Sequence, residues 1–199
     1  MKIIGVTGGI GSGKSTVCKI VSKHFNVKII DADVLAKQKY ASSSIQEKVL
    51  KAFPEMQSFD VAQLSKIVFQ NHNTINRLTQ ILYPELLIDF QEIISEQEFL
   101  GKVSAILIDA ALLIESNFHN YFHKNYQFKL VLVESNEKER IERVLKKNQL
   151  SFQEIKQRMK LQLSDKEKIK FADYIISNSR NLDLLEAKTL KVFQDILNN

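Results

Sequence analysis

The chain begins with a strand-like run that leads directly into a glycine-rich loop. Lys2 to Val6 is short, apolar and rich in β-branched residues, which predicts a buried strand. The next residues, GGIGSGKS from Gly8 to Ser15, match the phosphate-binding pattern GxxxxGK[ST] in full. Apolar residues then recur at helical spacing, so the N-terminus of a helix is predicted to lie beneath a bound anion. A glycine-rich turn without a ligand is the alternative, but it does not explain why a strand and a helix flank the loop.

Each residue type in this loop has a physical purpose. Successive N–H groups must point inward around phosphate oxygens, and glycine permits the backbone angles that this requires. Lys14 is predicted to place its ammonium against the β- and γ-phosphates, and the Ser15 hydroxyl to bind Mg²⁺. The sequence therefore predicts ATP and Mg²⁺ as cofactors. The predicted nucleotide-binding residues of the loop are Gly9, Ile10, Gly11, Ser12, Gly13, Lys14, Ser15 and Thr16.

Two aspartates follow the second predicted strand. Val27 to Ile30 is a short apolar run that ends in Asp31-Ala32-Asp33, and the carboxyl ends of parallel strands line the binding crevice of an α/β sheet. Asp33 is a candidate catalytic base that accepts a proton from an attacking hydroxyl. It is equally well placed to cap a helix predicted over Val34 to Tyr40, because aspartate is a favoured N-cap residue. Asp31 either contacts Mg²⁺ through water or orients its neighbour.

Two further acids follow the third predicted strand, Ala105 to Ile108. Asp109 ends that strand, where nucleotide-binding folds often keep an acid for a water-mediated Mg²⁺ contact. Glu115 comes after a short apolar stretch, on the crevice side of the predicted sheet. Each acid has an ordinary alternative as a helix cap or a surface charge, and for Glu115 we prefer that alternative.

Predicted strands and helices alternate along the chain, which favours one α/β domain with a parallel sheet and helices on both faces. The fourth and fifth strands are predicted over Phe128 to Val133 and Tyr174 to Ile176, and a final amphipathic helix over Asn181 to Leu197. Residues 42–99 are helical throughout and too long for a simple crossover, so we expect them to hold the second substrate. A long helix within this region is expected to kink or restart at Tyr83-Pro84.

Capping sequences mark several helix starts. Patterns such as S-x-x-E open helices, and the predicted cap residues are Ser44, Asp60, Asn136, Ser151 and Ser164. After Asn136, basic residues recur every three or four positions on two helices joined by a short polar turn. Residues 138–170 are therefore predicted to form a mobile lid that closes over phosphates and excludes water. The alternative is a solvated helix face, the usual role of a charge run.

The net charge of +5 is compatible with nucleic acid, with a phosphate-rich small substrate, or with no charged partner. No Arg-rich tract, zinc-finger spacing or RNA-binding aromatic motif accompanies it. No apolar run has the length of a membrane span, and Met1 leads into a strand rather than a signal peptide. Cys18 is the only cysteine, which suits a reducing cytoplasm, and we expect it to pack as a small apolar residue. His119 and His123 lack the acid of a zinc-binding helix and are expected at the surface.

Taken together, these residues resemble the dephospho-coenzyme A kinase family over nearly the whole chain. The loop sequence VTGGIGSGKS alone specifies only a nucleotide binder. The resemblance becomes specific through an ordered set of further motifs at matching intervals. These motifs are Asp31-Ala32-Asp33, Leu112-Leu113-Ile114-Glu115, Arg143, Arg158-Met159-Lys160-Leu161-Gln162 and Ala172-Asp173-Tyr174-Ile175-Ile176-Ser177-Asn178.

The resemblance implies a fold and an activity. The family has a three-layer α/β P-loop fold of the nucleoside monophosphate kinase type. Its five-stranded parallel sheet has the order 2-3-1-4-5, and it carries a helical substrate-binding insertion and a helical lid. The implied activity is ATP-dependent phosphorylation of the ribose 3′-hydroxyl of dephospho-coenzyme A, the last step of coenzyme A synthesis. The implied partner is this small-molecule substrate, and neither nucleic acid nor a membrane is expected. The protein is expected to be cytoplasmic and to be a monomer or a weak homo-oligomer.

The resemblance also implies roles for particular residues. Asp33 is implied as the catalytic aspartate, and Lys14 as the cation that holds ATP with the loop. Arg140 or Arg143 is implied to lie against the adenine or the phosphates, and Asn178 is implied to lie near the ATP base.

Four positions depart from the family's usual residues: Tyr83 stands for histidine, Ala111 for proline, Lys147 for arginine and Arg180 for glycine. A lysine at position 147 keeps the charge but loses bidentate phosphate geometry. Three alternatives to the implied activity follow. The first is a kinase of the same fold for a nucleoside monophosphate or a sugar, and the second is a basic nucleic-acid-binding NTPase. The third is a catalytically weakened homologue.

Overall fold

In the computed structural model of the protein, a five-stranded parallel sheet carries the glycine-rich loop at the end of its central strand. The sheet order is β2-β3-β1-β4-β5. The strands are β1 (Lys2–Thr7), β2 (Val27–Asp31), β3 (Ala105–Asp109), β4 (Phe128–Glu134) and β5 (Tyr174–Ser177). Both the parallel pairing and the order 2-3-1-4-5 confirm the prediction. The structure describes residues 1–147, 150–179 and 181–199.

The chain divides into two units. The sheet unit comprises Met1–Asp31 and Gln97–Asn199, and the helical unit comprises Ala32–Glu96. The helices of the sheet unit are α1 (Lys14–His24), α6 (Phe118–Asn125), α7 (Glu137–Lys146), α8 (Phe152–Leu161), α9 (Asp165–Lys168) and α10 (Leu182–Asn198). The helical unit contains α2 (Ala32–Lys39), α3 (Ser43–Ala52), α4 (Val61–Val68) and most of α5 (His72–Leu100).

Apolar side chains cover both faces of the sheet. On one face, Ile4 and Val131 join α1 and α10 in a continuous core. On the other face, Phe122 of α6 stacks on Phe128 of β4 with ring centroids 5.5 Å apart. Burial on both faces is the reason that the inner strands β1, β3 and β4 appear in the sequence as mostly apolar runs. Cys18 lies within the α1 part of this core, which confirms its expected role as a small apolar residue.

Of the two expectations at Tyr83-Pro84, the restart is wrong, because α5 runs unbroken from His72 to Leu100 with Pro84 inside it, and the kink stays a prediction. A proline inside a helix costs about 3 kcal/mol through a lost hydrogen bond and a clash with the preceding turn. Apolar side chains on both sides of the proline are buried, among them Leu82, Leu86 and Phe90. Each of these contributes about 1.5–3 kcal/mol, which is enough to keep the helix continuous.

Most predicted helix starts are confirmed, and two are wrong. The side chains of Asp60, Asn136, Ser151 and Ser164 each accept a backbone N–H at the start of their helices. The predicted cap at Ser44 is wrong, because α3 has Ser42 as its N-cap and no side-chain cap bond. The helix predicted from Val34 begins two residues earlier, at Ala32. Asp33 therefore lies in the first turn of α2 instead of at its N-cap.

Candidate nucleotide-binding site

The loop keeps its shape because glycines occupy positions with a left-handed backbone, two of them in its second half. Gly11 has φ of 76° and Gly13 has φ of 103°, angles that side-chained residues resist. Both glycines are also crowded from outside the loop. A Cβ at Gly11 would meet the main chain of Arg140, and a Cβ at Gly13 would meet the side-chain amide of Asn178. The glycines therefore serve two purposes, the local backbone angles and the close approach of neighbouring segments.

Lys14 and Ser15 open α1 directly after the loop. The Lys14 ammonium donates to the Gly8 carbonyl at 3.1 Å, so the side chain folds back along the loop as a phosphate-binding lysine must. The Ser15 hydroxyl donates to Asp109 Oδ2 at 2.9 Å. The exposed Thr16 follows in the same turn, and its N–H donates to the Gly13 carbonyl at 3.0 Å.

Asp109 is buried at the end of β3, and the strand register places Asp31 beside it at the end of β2. The two carboxylates bring negative charge to this edge of the sheet. Burial, together with the charge of Asp109, raises the pKa of the nearby Cys18 thiol. A hydroxyl and a carboxylate are the oxygen ligands that Mg²⁺ prefers. Ser15 and Asp109 therefore fit a magnesium ion next to the loop.

Arg140 of α7 lies against the outside of the loop. Its Nε donates to the Ile10 carbonyl at 2.9 Å, its guanidinium leaves no room for a side chain at Gly9, and Nη1 is 3.5 Å from Asp165 Oδ2. Arg140 is 9% exposed, and this burial lowers its pKa, an effect that Asp165 opposes. The structure thus places Arg140 at the loop, where its predicted contact with ATP stays a prediction.

Arg143 and Asn178 hold the next stretch of the same loop. Arg143 Nη1 donates to the carbonyls of Gly11 and Ser12 at 3.3 and 3.4 Å, and Nη2 to the Asn178 carbonyl at 3.3 Å. The Asn178 side-chain amide donates to the Ser12 carbonyl at 2.7 Å. Cations and amides therefore hold the loop carbonyls on its outer side. Because these carbonyls point to the outer side of the loop, N–H groups can line the opposite side. Anion binding requires this arrangement.

Gln162, which follows α8, is a site residue that was not predicted from the sequence. Its Oε1 accepts the N–H of Ile10 at 2.8 Å, so both backbone polar groups of Ile10 are held by side chains from α7 and the end of α8. Gln162 occurs in the family-like stretch RMKLQ, which was the only indication in the sequence. Nothing in the local pattern predicts that a glutamine after a helix reaches back to a residue 152 positions away.

The expectation that Glu115 is a cap or a surface charge is wrong. Its side chain is 16% exposed and pairs with the fully buried Lys168 at 2.9 Å, and its Oε1 also accepts the Leu163 N–H at 3.0 Å. Lys168 donates in addition to the Ala111 carbonyl at 2.7 Å. The basic residues of the predicted lid thus have different environments, since Lys168 is buried whereas Lys147 at the end of α7 is exposed.

Asp33 belongs to the helical unit, in the first turn of α2 with its side chain exposed. Burial, with a contribution from the negative charge of Asp33, raises the pKa of Tyr40 to about 12. The ring of Tyr40 packs at a tilt against Phe59, with centroids 5.4 Å apart. The catalytic role of Asp33 stays a prediction. Of the positions that depart from the family pattern, Tyr83 lies within α5, and Arg180 lies outside the described residues.

His119 is not at the surface as expected. It is 4% exposed and meets Phe171 edge-on with ring centroids 5.1 Å apart. Neither ring nitrogen has a hydrogen-bond partner in the part of the chain that the structure describes, and burial lowers the pKa of the ring. His123 is exposed, as expected.

Two features are absent from the part of the chain that the structure describes. Over 1–147, 150–179 and 181–199, no group of three or more His, Cys, Asp or Glu side chains is arranged to hold a metal ion. Over the same residues, none of the helices combines the length and the apolar character needed to cross a membrane.

Comparison with known proteins gives consistent matches. A sequence model of the family described as Dephospho-CoA kinase matches residues 2–183. The Dephospho-CoA kinase of Fusobacterium nucleatum is 31% identical over 199 residues, covering 98% of both chains. Among solved structures, the Dephospho-CoA kinase from Campylobacter jejuni aligns with a TM-score of 0.65 at 25% identity, over 100% of this chain and 98% of the other. Shikimate kinase from Acinetobacter baumannii shares the fold alone, with a TM-score of 0.57 at 16% identity, over 99% of this chain and 93% of the other.

Proposed function

The chain belongs to the dephospho-CoA kinase family, and we propose that it transfers the γ-phosphoryl group of ATP to the ribose 3′-hydroxyl of dephospho-CoA. This reaction is the final step of coenzyme A synthesis. The observation that carries the proposal is the loop at the end of β1, with Lys14 folded along it and the Ser15 hydroxyl 2.9 Å from Asp109. A loop, a lysine and a hydroxyl–carboxylate pair are the groups that phosphoryl transfer from ATP needs.

The loop is proposed to hold the triphosphate. Backbone N–H groups of the loop are proposed to face the β- and γ-phosphates together with the N-terminus of α1, and Lys14 adds a compact positive charge. The N–H groups of Ile10, Ser12 and Thr16 are instead bonded within the protein. Ser15 and Asp109 would hold Mg²⁺, which when bound neutralises charge on the phosphates. These groups are fixed before the substrate arrives, so they stabilise charge in the transition state without reorganising.

Asp33 is proposed to act on the acceptor. Its carboxylate takes the proton of the ribose 3′-hydroxyl, while that oxygen attacks the γ-phosphorus in line with the departing ADP. Residues 42–99 are proposed to bind the rest of dephospho-CoA, and 138–170 to close over the phosphates. Arg140, Arg143 and Asn178 are proposed to act first on the loop, by fixing its carbonyls outward, and through it on ATP. Contact of Arg140 or Arg143 with the phosphates, and of Asn178 with the adenine, remains part of the proposal.

The choice of acceptor is tested by ADP release in a coupled assay. We expect turnover with dephospho-CoA and little with nucleoside monophosphates or sugars at the same concentration. Preference for a nucleoside monophosphate or a sugar would replace the proposed acceptor by that of another kinase of this fold. Stimulation of ATP hydrolysis by an oligonucleotide, weakened by added salt, would instead support the nucleic-acid-binding alternative.

The role of Asp33 is tested by Asp33→Asn, which keeps the shape of the side chain and removes its basicity. We expect normal folding and loss of turnover of about a hundredfold or more, the usual contribution of a general base. Asp60→Asn is the matched control, because Asp60 caps α4 and asparagine caps helices equally well. Near-wild-type turnover of Asp33→Asn would remove Asp33 from this role.

We further propose that the enzyme works in the cytoplasm as a monomer or weak homo-oligomer. Its single cysteine is buried as a free thiol, which is compatible with a reducing compartment. Sedimentation of the purified protein over a range of concentrations tests the oligomeric state. A tight oligomer at every concentration would contradict the proposal.

A further inference from the structure

Ile10 occupies an unusual position among the loop residues. Its N–H donates to Gln162 Oε1 at 2.8 Å, and its carbonyl accepts from Arg140 Nε at 2.9 Å. The two partners come from different elements, one from α7 and one from the residue after α8. Hydrogen bonds at both ends of one residue fix its position and its rotation, so the preceding and following loop N–H groups are oriented as well.

A buried ion pair holds the segment that contains Gln162. Glu115 Oε1 accepts the N–H of the next residue, Leu163, at 3.0 Å, and lies 2.9 Å from Lys168 Nζ. Lys168 also donates to the carbonyl of Ala111 at 2.7 Å. The segment 162–168 is thereby joined at two points to the turn that follows β3.

This pair is a poor means of stabilising the fold and a good means of setting geometry. Lys168 is 0% exposed, and burying both charges costs several kcal/mol that their attraction does little more than offset. The helix that carries Lys168, α9, has four residues, which is too short to hold a conformation by itself. A directional contact is therefore needed to place the residues around it, Gln162 among them.

We infer that Glu115 and Lys168 are positioning residues for the nucleotide loop, acting through Leu163 and Gln162 on Ile10. This inference rests on the proposed function, because it assumes that the loop binds ATP. It does not depend on which acceptor the enzyme phosphorylates. It predicts that disturbing the pair weakens ATP binding even when the protein remains as stable as the wild type.

The test measures the dissociation constant of ATP by titration calorimetry, and the KM values for ATP and for the acceptor. Gln162→Ala and Lys168→Met are each expected to weaken ATP binding about tenfold, the usual size of coupling between contacting residues. The KM for the acceptor is expected to change less than twofold. The double variant Gln162→Ala/Lys168→Met is expected to bind ATP no more weakly than either single variant, because both changes act on one contact. Effects that multiply would overturn the inference.

A second variant separates positioning from stability. Glu115→Leu/Lys168→Met replaces both charges by apolar groups of similar size, a change that often leaves stability unaltered or improved. Positioning predicts weakened ATP binding in this variant in spite of normal thermal stability. A purely structural role predicts wild-type ATP binding, and that result would overturn the inference.

Lys2→Met is the matched control. Lys2 Nζ donates to the carbonyls of Ile196 and Leu197 at 2.7 and 3.1 Å. Lys2 is the first residue of β1, whereas the loop follows the last residue of that strand. The same substitution there is expected to lower stability and to leave ATP affinity unchanged. A wild-type protein that binds ATP but does not phosphorylate dephospho-CoA would refute only the proposed acceptor. One that binds no ATP would refute both proposals.

Discussion

The stability of the protein should fall as the pH drops below 6.5, and His119 should be responsible for part of that fall. The ring is buried and lies edge-on to Phe171, and burial lowers its pKa from the ordinary value of 6.5. The negative charge of Glu115 opposes this shift and the neighbouring His123 adds to it. Between the lowered and the ordinary pKa, the unfolded chain binds a proton that the native state does not. Stability is therefore lost as the pH decreases through this window.

The size of the effect has a clear upper limit. If the native ring stays neutral, going from about pH 7.5 to about pH 5.5 stabilises the unfolded chain by about 1.4 kcal/mol. For a chain of this length, that loss lowers the melting temperature by about 3–6 °C. The variant His119→Phe removes the titration while keeping an aromatic ring, and any change in packing affects its stability equally at both pH values.

The assay is urea unfolding at the two pH values, followed by circular dichroism. The difference in unfolding free energy between them should be smaller in His119→Phe by up to about 1.4 kcal/mol. Phe122→Leu is the control, because it disturbs the packing of α6 without removing a titrating group and should keep the pH dependence of the wild type. An unchanged pH difference in His119→Phe would refute the argument that burial keeps this ring neutral.

Three further predictions concern the loop. Lys14→Ala should fold normally and lose about a hundredfold or more in turnover, because the charge on the phosphates is no longer offset. Turnover is measured by coupled ADP release, and a loss under tenfold would contradict the role of Lys14. Ser15→Ala should raise the Mg²⁺ concentration needed for half-maximal activity, since it removes one of two proposed ligands, whereas an unchanged Mg²⁺ titration would exclude it as a ligand. Asn178→Ala removes the 2.7 Å hydrogen bond to the Ser12 carbonyl and should weaken ATP binding about tenfold in calorimetry. Unaltered ATP affinity would show that Arg143 alone suffices to hold this carbonyl.

Much of the fold follows from local sequence patterns because the inner strands β1, β3 and β4 are largely buried on both faces. Residues 105–108 are apolar and buried at every position, and such a run is recognised from the sequence alone. The helix starts were predictable where a side chain binds its own backbone, as at Ser164. The restart expected at Pro84 does not occur, because local chemistry opposes a helix there whereas tertiary burial on both sides favours its continuation.

The candidate site was predictable where its residues are adjacent in sequence and not where distant segments meet. The loop motif identifies Lys14 and Ser15 directly. Glu115 and Lys168 are separated by 53 residues, and neither has neighbours that distinguish a buried pair from surface charges. The same reason explains the error at His119, which is covered by Phe171 from a later part of the chain.

The sheet order explains why the nucleotide loop forms where it does. The first crossover leads from β1 to strands on one side of it, and later crossovers lead to strands on its other side. In α/β sheets, such a change of direction opens a crevice at the carboxyl ends of the strands. The register aligns Val6 of β1 with Asp109 of β3, so the acid that accepts the Ser15 hydroxyl arrives beside the loop without any special bend. On the other flank, β4 leads into α7, whose Arg140 and Arg143 reach the outer side of the loop. The strand order thus places a carboxylate on one side of the loop and arginines on the other. The proposed cation site is therefore separate from the groups that hold the loop carbonyls.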